Sequence, residues 1–89
     1  MIIRKLIWDD WNITHLARHA ITKDEVGEVC LSERNVVTRA DRRKIRVIGH
    51  AWSGKYVTVF LASRDRDSYY VVTARASTNK EKRFYRQKV

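Results

Sequence analysis

Proline is absent from the 89 residues of the chain, glycine occurs three times, and cysteine and methionine once each. With no proline- or glycine-rich stretch there is no material for a long flexible linker, and no repeat or low-complexity segment is visible. The single cysteine, Cys30, cannot close an internal disulfide, which suits a reducing, cytoplasmic setting. No apolar run approaches the ~18 residues of a membrane span, and "MIIRKLIW" is too short for a signal peptide. These absences lead to one small domain over residues 1–89, cytoplasmic, with a modest core and no membrane contact.

Negative charge is also scarce, but only in one part. Residues 1–31 carry four basic and five acidic side chains, whereas residues 32–89 carry fifteen basic and five acidic. The whole formal excess of +9 therefore lies in the C-terminal two-thirds. A field of that sign concentrates polyanions, the footprint expected of a nucleic-acid binder; a basic domain that pairs with an acidic protein is the alternative.

Familiar catalytic signatures are missing. There is no G-x-S-x-G turn, no P-loop and no G-x-G-x-x-G. His15 and His19 in "WNITHLARH" stand four apart, as in the zinc helix H-E-x-x-H, but Leu16 follows the first histidine where that chemistry needs a carboxylate base. A metal set of His15, His19, His50 and Cys30 has no favourable spacing, so no metal and no cofactor are expected. The alternative is histidines that join a small core to its polar edge. Cys30 falls on an apolar helical stripe and reads as a core residue.

What is present divides by period. "IIRKLIW" (2–8) is a candidate first strand, and Asp9 or Asp10 can cap a short helix over about 11–19. "TKDE" is a capping box with Thr22 as N-cap and Glu25 at N3; Ile21 and Val26 form its hydrophobic staple. Val26, Val29 and Cys30 continue that helix at helical spacing. The period then becomes two in 35–40, 44–52, 55–63 and 68–76, separated by turn residues; Ser53–Gly54 forces an antiparallel hairpin. In the last strand, Tyr69, Val71, Thr73 and Arg75 alternate onto one face. The basic tail "STNKEKRFYRQKV" is helix-compatible, capped by Ser77 or Thr78, with Glu81 and Tyr85 on one face and Phe84 as core anchor. The order predicts an α+β fold, an antiparallel β-sheet with two N-terminal helices and one C-terminal helix.

Two stretches at this separation resemble one family. "WDDWNITHLARHAITKDEV" is similar to the opening of BrnT-type toxins, and "VTARASTNKEKRFYR" to their ending, (S/T)-A-R-x-x-T-x-x-E-R-x-x-Y. Between them, "IGHAWSGKYVTVFLASR" fits the family's central hairpin, so the likeness spans about residues 6–86. It implies a RelE-like ribonuclease, the toxin half of a bacterial type II toxin–antitoxin pair that inhibits translation. The implied partners are an RNA substrate, messenger RNA by expectation, and a ribbon-helix-helix antitoxin; operator DNA is reached only through the antitoxin complex. Matched residue by residue, His19 falls on the family's (K/R)-H-G motif and Arg64 on the arginine ending the central strand. Arg75, Glu81 and Tyr85 fall on the closing motif. Three positions depart. Ala20 replaces the usual glycine, so a left-handed turn there costs about 1 kcal/mol or is absent. Lys82 stands for arginine, a point charge in place of a bidentate contact. Tyr70 occupies a place often held by arginine.

The implied reaction is metal-independent cleavage, in which a ribose 2′-OH attacks the adjacent phosphate to leave a 2′,3′-cyclic phosphate and a 5′-OH end. Arg64 and Arg75 are the candidates for stabilising the phosphorane charge, Glu81 or His19 for the base, and Tyr85 or His19 for the acid. Glu81 acting only to orient an arginine is the alternative. Arg46, Lys80, Lys82, Arg83 and Tyr70 are expected RNA contacts. Tyr69, Tyr70 and Trp52 are candidate base-stacking residues, with packing as the competing role. A non-catalytic nucleic-acid- or antitoxin-binding module on the same fold is the rival reading.

Overall fold

Among the described residues, all three helices begin at a side chain that closes a reciprocal cap. In the computed structural model, which describes residues 3–89, Asp9 opens α1 (Asp10–Ala17), with its carboxylate accepting from the Asn12 amide at 2.9 Å. Thr22 opens α2 (Lys23–Cys30), and its hydroxyl accepts from the Glu25 amide at 3.1 Å while Glu25 accepts from the Thr22 amide at 2.9 Å. Thr78 opens α3 (Asn79–Lys88) in the same way with Glu81. Each box satisfies backbone donors that a helix start otherwise leaves free.

The strands are β1 (Lys5–Ile7), β2 (Val36–Asp41), β3 (Lys44–His50), β4 (Tyr56–Ser63) and β5 (Ser68–Ala76). They form one sheet in the order β1-β5-β4-β3-β2. β2 to β5 are antiparallel neighbours, as the short turns require. β1 departs from the expected all-antiparallel sheet: it pairs parallel with β5, Leu6 opposite Tyr69, so the sheet is mixed. Its physical cause is the long crossover, since two helices and three strands intervene before the chain returns beside β1. The first residue expected in that strand, Ile2, lies outside the described residues.

One face of the sheet is the core. Val47, Val57, Val59, Leu61, Tyr69, Val71 and Ala74 meet Leu16, Ile21, Val26, Val29 and Cys30 from α1, α2 and the turn between them. Each fully buried Val or Leu there contributes roughly 1.5–3 kcal/mol. Buried Asn12 closes the corner where β1 ends, its Nδ2 donating to the carbonyls of Ile7 at 3.0 Å and Val71 at 3.1 Å. Tyr69 is only 8% exposed in this core, which removes it from the base-stacking candidates.

A bulge decides what the other face displays. Phe60 pairs with Thr73 and Leu61 with Val71, leaving Val72 as the extra residue on β5. The strict alternation expected for β5 therefore breaks. Tyr69 and Val71 point to the core, and Tyr70, Thr73 and Arg75 share the opposite face with Arg46, Thr58 and Phe60. At one end of this open face lies α3, through Glu81 and Tyr85; Tyr85, not Phe84, is its buried anchor. Among the described residues, no helix is long and apolar enough to cross a membrane.

Candidate functional site

The open face is organised around a buried carboxylate. Thr58 on β4, Arg75 on β5 and the start of α3 converge on Glu81, which is 6% exposed. Arg75 grips it with two nitrogens: Nη1 donates to Oε1 at 2.7 Å and Nη2 to Oε2 at 2.9 Å. Oε1 also accepts from the Thr78 amide at 2.8 Å and the Thr58 hydroxyl at 3.1 Å. Because Thr58 spends its only hydroxyl proton on Glu81, Ser77 must donate the 2.7 Å bond that joins their oxygens. A second guanidinium stands nearby, with Arg46 Nη1 3.7 Å from Oε2 and its Nε donating to Thr38 at 3.2 Å.

Burial alone would raise the Glu81 pKa, but the bonds from Arg75, Thr78 and Thr58 and the Arg75 charge outweigh it and hold the carboxyl at about 2. The bond to Glu81 in turn raises the Arg75 pKa against the opposing effect of burial. Glu81 is thus a fixed anion with both oxygens occupied. It orients Arg75 and is poorly suited to take a proton near neutral pH. Two guanidiniums around one carboxylate leave a net positive site. It opens into a cleft of about 210 Å³ lined by Arg46, Thr78, Lys80, Glu81 and Phe84. The Arg75 guanidinium lies 5.4 Å from the centre of the Phe60 ring, with 37% of its side chain exposed. This arrangement can hold a phosphate by charge-assisted hydrogen bonds.

The other expected site residues divide. Arg46 and Lys80 line the cleft with Glu81, the carboxylate that Arg75 holds. Arg64 does not join them. It sits over the Tyr70 ring at 5.1 Å, and the Tyr70 hydroxyl donates to both carboxylate oxygens of Asp9 at 3.1 and 2.9 Å. Tyr70 pairs with Ala62 and Arg75 with Thr58, four residues apart on β4, so these clusters are about 13 Å apart along the sheet. Burial first, then the bond to Asp9, raises the Tyr70 pKa.

Tyr85 lies outside the cleft lining. It is 3% exposed and packs edge-on against His50 and Tyr56, with ring centres 5.5 and 5.8 Å away. Burial, followed by the neighbouring Tyr56, raises its pKa. Lys82 lies over Tyr56 at 5.6 Å, and Arg83 is exposed farther along α3. Trp52 is 89% exposed at the β3–β4 turn, and its amide donates to Glu28 at 2.9 Å.

His19 follows α1 in the exposed turn, its ring edge-on to His15 with centres 5.3 Å apart. The turn is left-handed at Ala20, φ 58°, and Lys55 Nζ donates to the Ala20 carbonyl at 3.2 Å while pairing with Glu25 at 3.1 Å. His50 belongs to the aromatic group around Tyr85. Cys30 is buried in the core with its thiol pushed up to about 12 by desolvation. Among the described residues, no three His, Cys, Asp or Glu side chains are placed to hold a metal ion.

Sequence reasoning missed the contribution of Thr58, Thr38 and Phe60, which are ordinary strand residues until register brings them beside Arg75. The Thr78–Glu81 box, in contrast, is written as T-x-x-E, the same signal as Thr22–Glu25. Comparison with family models, with curated proteins and with solved structures finds no match to the chain.

Proposed function

We propose that the chain is a metal-independent endoribonuclease with a RelE-like fold, the toxin half of a toxin–antitoxin pair held in check by a ribbon-helix-helix antitoxin. The observation that carries this reading is the Arg75–Glu81 pair: a guanidinium locked bidentately and still 37% exposed, beside a cleft lined by a second guanidinium, Arg46. The end motifs that resemble BrnT-type toxins and the basic C-terminal two-thirds support it as well.

In this mechanism the 2′-oxygen of a ribose bonds to the adjacent phosphorus as the bond to the 5′-oxygen breaks. Arg75 and Arg46 stabilise the charge that grows on the non-bridging oxygens. Glu81 keeps Arg75 in the required orientation, so its contribution is made before substrate arrives. Arg64, about 13 Å along the same face, contacts a neighbouring part of the strand. Association with the antitoxin would cover this face, and operator DNA would be reached through that complex.

A second reading has its own observation. With both Glu81 oxygens filled and Tyr85 buried, the cleft carries no free carboxylate or phenol for proton transfer, as suits a module that binds RNA without cutting it. Incubation with labelled single-stranded RNA in EDTA separates the two. Cleavage is expected from the wild type, falling about 10²–10³-fold in Arg75→Ala and less in Arg75→Lys, which keeps charge but loses the fork. Binding without cleavage favours the module.

A further inference from the structure

The proposed cleavage needs a group that accepts a proton from the 2′-OH, and the cleft beside the Arg75–Glu81 pair does not provide one. The geometry points to His15 as that general base, an inference that rests on the ribonuclease reading above. His15 reaches from α1 across the β5 edge, with Nε2 3.1 Å from the Thr73 hydroxyl. Thr73 lies on the open face two residues from Arg75, about 7 Å along the strand. The imidazole therefore stands between the Arg75 and Arg64 clusters, on the path a strand of RNA follows when it touches both.

Three neighbours fix the ring. Trp11 stacks on it with centres 4.8 Å apart and planes within 7°, His19 meets it edge-on, and Thr73 holds Nε2. Trp11 remains 59% exposed, so the stack orients the imidazole without enclosing it. Among the described residues Nδ1 makes no hydrogen bond, and the Thr73 hydroxyl can accept from Nε2–H. That tautomer leaves the Nδ1 lone pair to accept a proton. When it does, Nε2–H keeps its acceptor and the Trp11 face stabilises the new cation.

Nδ1 takes the 2′-OH proton as the 2′-O–P bond forms, the P–O5′ bond breaks, and water protonates the departing 5′-oxygen. The imidazolium then returns its proton to solvent. His19, carried by the exposed turn, has no comparable anchor.

The test measures cleavage of a labelled single-stranded RNA in EDTA from about pH 5 to 8. Binding is read with the 2′-O-methyl form of the same RNA, which cannot react. His19 from its own helix turn meets His15 edge-on, and Tyr70 and Arg75 stand to either side of Thr73 on the same face of β5, so His19→Asn is included. His15→Asn is expected to cut more slowly by about 10²–10⁴-fold and to lose the rise of rate with pH. Its affinity for the methylated RNA stays within about threefold, and added imidazole partly restores cleavage in His15→Ala; His19→Asn keeps the rise.

A His15→Asn protein that cleaves like the wild type, or loses cleavage only in proportion to binding, overturns the assignment and leaves the ribonuclease reading standing. A wild type that cuts nothing overturns both. Independently of any variant, the imidazole ¹⁵N signals of the wild type are followed while the methylated RNA is added. The His15 Nδ1 signal is expected to shift to saturation and that of His50 to stay, whereas an unmoved His15 overturns the assignment.

Discussion

Arg75, Thr58 and the Thr78 amide together fill both oxygens of Glu81, and the thermodynamic trace of that arrangement is a carboxyl at about 2 against a usual 4.5. Between those values the unfolded chain binds more protons than the folded one. Stability from this group is therefore fully present above the unfolded value and is lost as pH falls through the folded one. The shift corresponds to about 3 kcal/mol by linkage. Denaturant unfolding from about pH 2 to 7 is expected to show wild type more stable than Glu81→Gln above pH 5, with the gap closing toward pH 2. Parallel curves would remove the buried pair from the account. The same residue shows what single positions reveal in a sequence: T-x-x-E announces the cap, but not that the capping glutamate also clamps an arginine six residues upstream. That second bond depends on where α3 is laid across the sheet.

At the scale of elements, the turn between α1 and α2 holds a measurable strain. Ala20 sits at φ 58°, where a Cβ costs about 1–2 kcal/mol. Glycine relieves that cost but adds roughly 0.4–1 kcal/mol of unfolded-state entropy. Ala20→Gly is thus expected to stabilise the fold by about 0.5–1 kcal/mol, read as a higher denaturation midpoint with unchanged slope; a lower midpoint contradicts the strained turn. The helix starts, the Ser53–Gly54 hairpin and four strands were legible because caps, turn residues and a period of two are local signals. Two features were not. The parallel pairing of β1 joins Leu6 to Tyr69, far apart in sequence, and nothing local encodes it. The bulge at Val72 arises from register between β4 and β5, and it alone moves Thr73 and Arg75 away from the face of Tyr69 and Val71. The anchor of α3 was misjudged for a related reason: helical spacing groups Tyr85 with Glu81 and sets Phe84 apart, without saying which of those faces meets the sheet.

For the whole molecule, core and charge occupy different surfaces. The helices α1 and α2 complete the apolar side of the sheet, leaving the opposite side for Arg46, Arg75, Tyr70 and the basic start of α3. If Arg46, Arg75 and Lys80 neutralise three phosphates, the affinity for 2′-O-methyl RNA should fall with salt at a log–log slope of about −2. A slope near zero would remove the electrostatic basis of the interface. The charge of this face underlies the proposed RNA-binding surface, and the locked guanidinium underlies the proposed catalysis. The most direct measurement of that claim is the mass of the ends produced when wild-type protein is incubated with single-stranded RNA in EDTA. New 2′,3′-cyclic phosphate and 5′-OH ends are expected, and they disappear with Arg75→Ala. Intact RNA, or cleavage leaving 3′-OH and 5′-phosphate ends, would contradict it.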